Sequence, residues 1–149
     1  MTRIQVTGGF ELPQRADDAI GYFTPEGERA WVPGWEPVYP AGESSEEPGT
    51  VFVTQHGGAE TLWTVVEIDR VSCRASYVRH RPGEWAGAVS VSCEDSGDGS
   101  CVVTVAYDTT LLPGGDASYL DQFDPSAYAE MMREWAEGVS AVAGSARGG

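Results

Sequence analysis

Asp124-Pro125-Ser126-Ala127-Tyr128-Ala129-Glu130-Met131-Met132-Arg133-Glu134-Trp135-Ala136-Glu137-Gly138-Val139-Ser140-Ala141-Val142 reads as one helix, and that reading decides the fold. Asp124 is a suitable N-cap. Pro125 suits the first helical position, where a missing N–H leaves no bond unmade. Tyr128, Met132, Trp135, Val139 and Val142 then recur at spacings of four, three, four and three. They draw a continuous apolar stripe along about four to five turns. Such a stripe needs an apolar surface to cover it, so a sheet with one apolar face is expected upstream. Asp116–Phe123 reads as an extra turn before the helix. The run Gly144-Ser145-Ala146-Arg147-Gly148-Gly149 reads as a frayed tail, which puts one domain at 1–143 and a flexible tail at 144–149.

The expected sheet is there in the pattern. Ile4, Val6, Phe10 and Leu12 recur every second residue, with Gly8 completing the series, which marks a half-buried strand. Pro13 reads as the start of a short helix whose inward face is Ala16, Ala19, Ile20 and Phe23. Thr24-Pro25 opens a second short helix, which Pro33-Gly34 stops. The stretch from Trp35 to Gly49 is rich in Pro, Gly, Ser and Glu and reads as an irregular, mobile loop. Strands follow at Thr50–Gln55, Thr61–Asp69, Ser72–Arg81, Trp85–Glu94 and Cys101–Leu112, joined by short turns, as an antiparallel meander. Val89, Val91 and Cys93 on one strand and Val103, Val105 and Tyr107 on the next make its apolar face. The order predicts an α+β fold: a curved antiparallel sheet wrapped around a long C-terminal helix, with two short helices after the first strand.

The totals exclude several function classes. The chain has 149 residues and a net charge of −14, and all its basic residues are Arg. Nucleic acids and anionic membrane surfaces attract clustered cations, so neither is an expected partner. No apolar run reaches the ~20 residues that span a bilayer, and the alternating N-terminus shows no secretory signal. Cys73, Cys93 and Cys101 form no C-x-x-C and read as buried thiols, consistent with a cytoplasmic protein. Arg-only basicity with abundant Gly, Ala and Val reads as the product of a GC-rich bacterial genome. No His pair or Cys–His cluster has metal-ligand spacing, and no P-loop, dinucleotide fingerprint or nucleophile elbow is present. Neither a metal nor a cofactor is expected.

The segment Phe23-Thr24-Pro25-Glu26-Gly27-Glu28-Arg29-Ala30-Trp31-Val32-Pro33-Gly34-Trp35 is similar to one in a bacterial branch of the START-like (SRPBCC, Bet v 1-like) superfamily. Gly49-Thr50-Val51-Phe52-Val53-Thr54 and Tyr77-Val78-Arg79, followed by Pro82-Gly83, resemble it further. The likeness runs from Arg3 to about Val142 and implies the helix-grip fold. It also implies one of three uses: binding of a hydrophobic small molecule or lipid, polyketide cyclase or dehydratase chemistry, or protein interaction of the Hsp90-activator-like kind. The superfamily houses all of these on one scaffold, so the fold alone does not choose.

Candidate site residues follow from strand alternation and the helical stripe. Trp35, Trp63, Tyr77, Tyr107, Tyr128 and Trp135 fall where a cavity is lined, with Val89, Val91, Val103, Val105 and Met132 between them. Each ring also has an ordinary place in a core; as a group they favour a lined pocket. Arg79 shares a face with Tyr77. Inside a cavity its guanidinium requires a carboxylate or a ligand oxygen, whereas at a rim it pairs with an acid such as Glu67; both readings stand. Glu67 shares the alternation of Trp63 and Val65 and is the one strand carboxylate that suits a general base. In the cyclase reading, which the resemblance implies, Arg79 stabilises an enolate and Tyr77, Tyr107 or Glu67 moves the proton. His56, in a Gly-rich turn, and His80, opposite Tyr77, are expected to face solvent. The expected partner is a hydrophobic small molecule, held by a monomer or homodimer.

Overall fold

The computed structural model describes residues 2–148, with side chains described as far as Ala143. Six strands form one antiparallel sheet in the order β1-β6-β5-β4-β3-β2: β1 Arg3–Leu12, β2 Val51–His56, β3 Ala59–Asp69, β4 Arg74–Arg81, β5 Trp85–Asp95 and β6 Cys101–Leu111. The α+β helix-grip architecture expected from the element order is the one observed.

β1 pairs with the last strand, so β1 and β2 occupy opposite edges. The segment between them must therefore travel the width of the sheet. It does so as α1 (Ala16–Ala19) and two 3-10 turns, Ile20–Phe23 and Gly27–Ala30; α1 and the first turn pack on β4, β5 and β6, and the second turn packs on the first. Ala16, Ala19, Ile20 and Phe23 are all buried, on the inward face expected for them. The helix does not start at Pro13, however. Residues 13–15 stay outside it, and Asp95 at the end of β5 accepts the Ala16 N–H at 2.8 Å, which fixes the first turn. The stretch 35–49 is irregular but tied down. Val38 exchanges backbone hydrogen bonds with Val53, Tyr39 donates to Glu26 at 2.7 Å, and Glu46 pairs with Arg70.

The long helix α2 runs Pro125–Gly148, so helical backbone continues through most of the segment read as a tail; Met1 and Gly149 lie outside the described residues. α2 packs directly on β1 and on the 3-10 turn Ala117–Phe123. Close approach is possible because Gly8 has no side chain: a Cβ there would meet Tyr128 Cε2 at 2.8 Å. Tyr128 donates to the Val105 carbonyl at 2.7 Å and locks this seam. Val103, Val105, Tyr128 and Met132 belong to the seam, and Val103 and Val105 are fully buried. The three thiols are free and buried, and burial pushes Cys93 up to about 12.

Candidate functional site

Away from the α2–β1 seam, the helix stands off the sheet and leaves a cavity of about 710 Å³ over β3, β4 and β5. Two aromatic groups wall it. On the sheet side, cross-strand alternation brings Phe52 and Trp63 together, stacked at 5.5 Å and 6°. Trp35 meets Trp63 edge-on at 5.5 Å, and its indole N–H donates to the Pro25 carbonyl at 2.8 Å, which fixes the ring. Tyr77 stands edge-on to Phe52 and Trp63, its hydroxyl donating to the Phe23 carbonyl. On the helix side, Trp31 contacts Phe23 at 5.7 Å and Trp135 at 5.4 Å. Trp31 donates to the Tyr22 carbonyl at 2.7 Å. Rings held by hydrogen bonds outside the cavity present rigid apolar faces within it.

Polar side chains interrupt this lining: Glu134 and Glu137 on α2, and Arg79, Tyr107 and Glu28. Arg79 on β4 points inward and is 7% exposed. Its neighbour on β5 is Gly87, so nothing blocks the guanidinium from crossing that strand to Thr109 on β6, whose hydroxyl accepts at 3.2 Å. A Cβ on residue 87 would lie 1.9 Å from the Asp108 carbonyl oxygen, so the tight strand approach admits only glycine. The Tyr119 hydroxyl accepts a second bond at 2.8 Å, and the Trp85 and Tyr107 rings flank the cation at 4.3 and 4.8 Å. Cation–π contact and two hydroxyls hold the charge, and no carboxylate pairs with it among the described residues. Tyr107 lies beside it, and desolvation drives its phenol well above the usual range, with the Arg79 charge opposing.

Glu28 sits in the 3-10 turn Gly27–Ala30 and lines the same cavity. It is half-buried, and desolvation pushes its carboxyl up to about 8. A carboxyl titrating there is part protonated near neutral pH and both gives and takes a proton.

Of the residues singled out from sequence, Trp35, Trp63, Tyr77, Arg79, Val89, Val91, Tyr107 and Trp135 line this cavity. Val103, Val105, Tyr128 and Met132 do not: the helix closes onto β1 and β6 at their level and uses them as packing. Glu67 does not either. Val65 pairs with Tyr77 but Glu67 pairs with Ser76, because a bulge at Val66 shifts the register. The shift turns Glu67 to the outer face, where it pairs with Arg74 at 3.6 Å. The rim reading of Arg79, paired with Glu67, falls for the same reason. Glu28 was missed because its stretch reads only as part of the short helix opened by Thr24-Pro25. The flanking Phe23 and Trp31, both facing the core, were the available signal.

No protein-family model and no curated protein matches this chain. Solved structures do match along nearly all of its length. The norcoclaurine synthase of Thalictrum flavum is 14% identical with a TM-score of 0.64, over 95% of this chain and 87% of that one. Ara h 8.0201 is 14% identical with a TM-score of 0.66, over 99% and 100%. The major latex-like protein 151 of Panax ginseng is 17% identical with a TM-score of 0.64, over 95% and 97%. At these identities the likeness is one of fold. Among the described residues no helix is long and apolar enough to cross a membrane, and no group of His, Cys, Asp and Glu could hold a metal ion.

Proposed function

On the Bet v 1-like helix-grip scaffold of the START-like superfamily, we propose that this chain binds an aromatic or hydrophobic small molecule that carries an oxygen. The ligand lies between the Phe52–Trp63 and Trp31–Trp135 walls, and its oxygen meets Arg79. One observation carries the reading: a buried guanidinium with no carboxylate partner lines an aromatic cavity of about 710 Å³. A cavity of that size suits a ligand of drug-like dimensions. A cation in such a place makes its strongest bond to a ligand oxygen, charged or polarised. One solved neighbour, the Thalictrum norcoclaurine synthase, has been obtained in complex with dopamine and hydroxybenzaldehyde, which supports aromatic occupancy of this scaffold. A cytoplasmic location suits three free, buried thiols. Native mass spectrometry of protein purified under mild conditions tests the reading. A retained small-molecule adduct that is lost in Arg79→Met supports it, and an adduct-free protein that also takes up no added aromatic carboxylate sinks it.

Glu28 favours a second reading, in which the cavity catalyses a proton transfer of the cyclase or dehydratase kind. Arg79 and the Tyr107 hydroxyl hold a substrate carbonyl, and Glu28 takes the proton from the adjacent carbon. The role first given to Glu67 passes to Glu28. Turnover of an enolisable aromatic ketone that Glu28→Gln abolishes while binding persists separates this reading from simple binding.

A further inference from the structure

Beyond Arg79, a recess of about 420 Å³ adjoins the cavity, sharing Trp35, Trp63 and Arg79 with it and adding Arg81, Trp85 and Tyr119. Arg79 and Arg81 are two apart on β4 and so face the same side. Their guanidinium carbons lie 4.3 and 5.4 Å from the centre of one ring, that of Trp85. Arg3, Arg15, Arg29, Arg70, Arg74 and Arg133 each pair with a carboxylate. Among the described residues Arg79 and Arg81 do not, although acids outnumber bases heavily in the chain. No Asp or Glu lines the recess. Arg81 has one bond to a neutral acceptor, the Thr61 hydroxyl at 3.0 Å. The Nε of Arg79, the Nε of Arg81 and the indole Nε1 of Trp85 are buried donors without an acceptor. Two guanidinium groups against one ring, with three buried donors unmet, form a costly arrangement. An oxyanion between them relieves both costs.

We propose that Arg79, Arg81 and the Trp85 indole N–H form an anion subsite in the recess that adjoins the cavity at Arg79, which takes a carboxylate or phosphate. The inference rests on the cavity reading for its ligand body, and it adds Arg81 and the charge of the ligand. The preferred ligand is an amphiphile: an aromatic or hydrophobic body in the main cavity, with an anionic head in the recess. A free inorganic anion is the other source of the same chemistry.

The test uses the intact chain with 2-naphthoate, its neutral counterpart 2-naphthalenemethanol, and inorganic phosphate alone. Naphthyl binding is read by calorimetric titration and phosphate binding by the rise in Tm. Wild type is expected to bind the carboxylate about tenfold or more tightly than the alcohol, the scale of one charged hydrogen bond. Arg81→Met, which keeps the apolar stem, is expected to lose that preference and leave alcohol binding unchanged; Arg81→Gln repeats the measurement with a smaller polar side chain, and Arg81→Lys retains part of the preference. Equal binding of both naphthyl probes to wild type, with a phosphate-dependent Tm that is the same in wild type and Arg81→Met, overturns the subsite and leaves the cavity reading standing. A carboxylate preference that persists in Arg81→Met and Arg81→Gln also overturns it. If neither naphthyl probe binds, the cavity reading fails. The phosphate arm then decides the subsite: a Tm rise confined to chains with Arg81 upholds it as a free-anion site, and no such rise overturns it.

Discussion

The Arg79 guanidinium carbon lies 4.3 Å from the centre of the Trp85 ring, and this pairing keeps a cation inside the sheet without an acid. Arg79 reaches that ring because Gly87, its partner on β5, carries no side chain. The charge is positioned by a ring and two hydroxyls, which leaves it available to an incoming oxygen.

Replacing Arg79 with Met separates binding from folding. Affinity for the anionic probe 1-anilinonaphthalene-8-sulfonate is expected to fall by about 1.5–3 kcal/mol, the scale of a hydrogen bond to a charged group. The urea midpoint of the free protein is expected not to drop, because removing a buried charge that lacks a carboxylate partner is neutral or stabilising. Unchanged affinity in a folded variant would remove Arg79 from the site.

Glu28 predicts a pH dependence whose sign follows from linkage. Its carboxyl is raised from 4.5 to about 8 in the folded chain. Between those values the folded state holds a proton that the unfolded state has released. The stability Glu28 contributes is therefore complete below 4.5 and is lost as pH rises toward 8. Glu28→Gln stays neutral throughout. Urea midpoints of the two proteins are expected to agree near pH 4.5, with the variant gaining on wild type up to pH 8 and by a constant amount above it. A pH-independent difference would show that the carboxyl titrates in the folded chain as it does in the unfolded one.

Glu67→Gln tests the bulge at Val66. With Glu67 on the outer face beside Arg74, the substitution is expected to shift stability by no more than about 0.5 kcal/mol, as surface changes do. Ligand binding and any turnover are expected to stay at the wild-type level. A binding defect would return Glu67 to the cavity.

Trp135 is half-buried, facing Trp31 and the cavity. Trp135→Ala is expected to cost roughly 2–3 kcal/mol in urea denaturation, below the ~3–5 kcal/mol of an aromatic lost from a filled core. A change under about 0.5 kcal/mol would mean that α2 does not roof the sheet.

Strand alternation and the stripe on α2 sufficed for the architecture, because both periods report which side of an element is dry. They failed where one residue changes the period or where packing is uneven along an element. Strict alternation from Trp63 and Val65 lands on Glu67, whereas the adjacent apolar Val65 and Val66 hold a bulge that passes the inward phase to Ile68, as the pairing with Tyr77, Ser76 and Ala75 shows. The stripe places Tyr128 and Trp135 on one face, yet Gly8 draws the helix onto the sheet beside Tyr128 while Trp135 borders open space. Glu28 sits in a short turn and comes to line the cavity through strands and a helix far along the chain. Arg81 shares the parity of Arg79, so its inward direction was legible. Its lack of an acid was not, since ion pairs depend on tertiary neighbours.

The central claim is that the space between α2 and the sheet holds an aromatic ligand that carries an oxygen. A ¹H–¹⁵N NMR titration with 2-naphthoate reads it directly through the indole N–H signals of the five tryptophans. The Trp31, Trp35, Trp63 and Trp135 signals are expected to move together and saturate, because these rings line the cavity. The amides of Val66, Val78 and Val102, exposed on the outer face, are expected to stay in place. Shifts confined to the outer face, or indole signals that do not move at any probe concentration, would contradict the account.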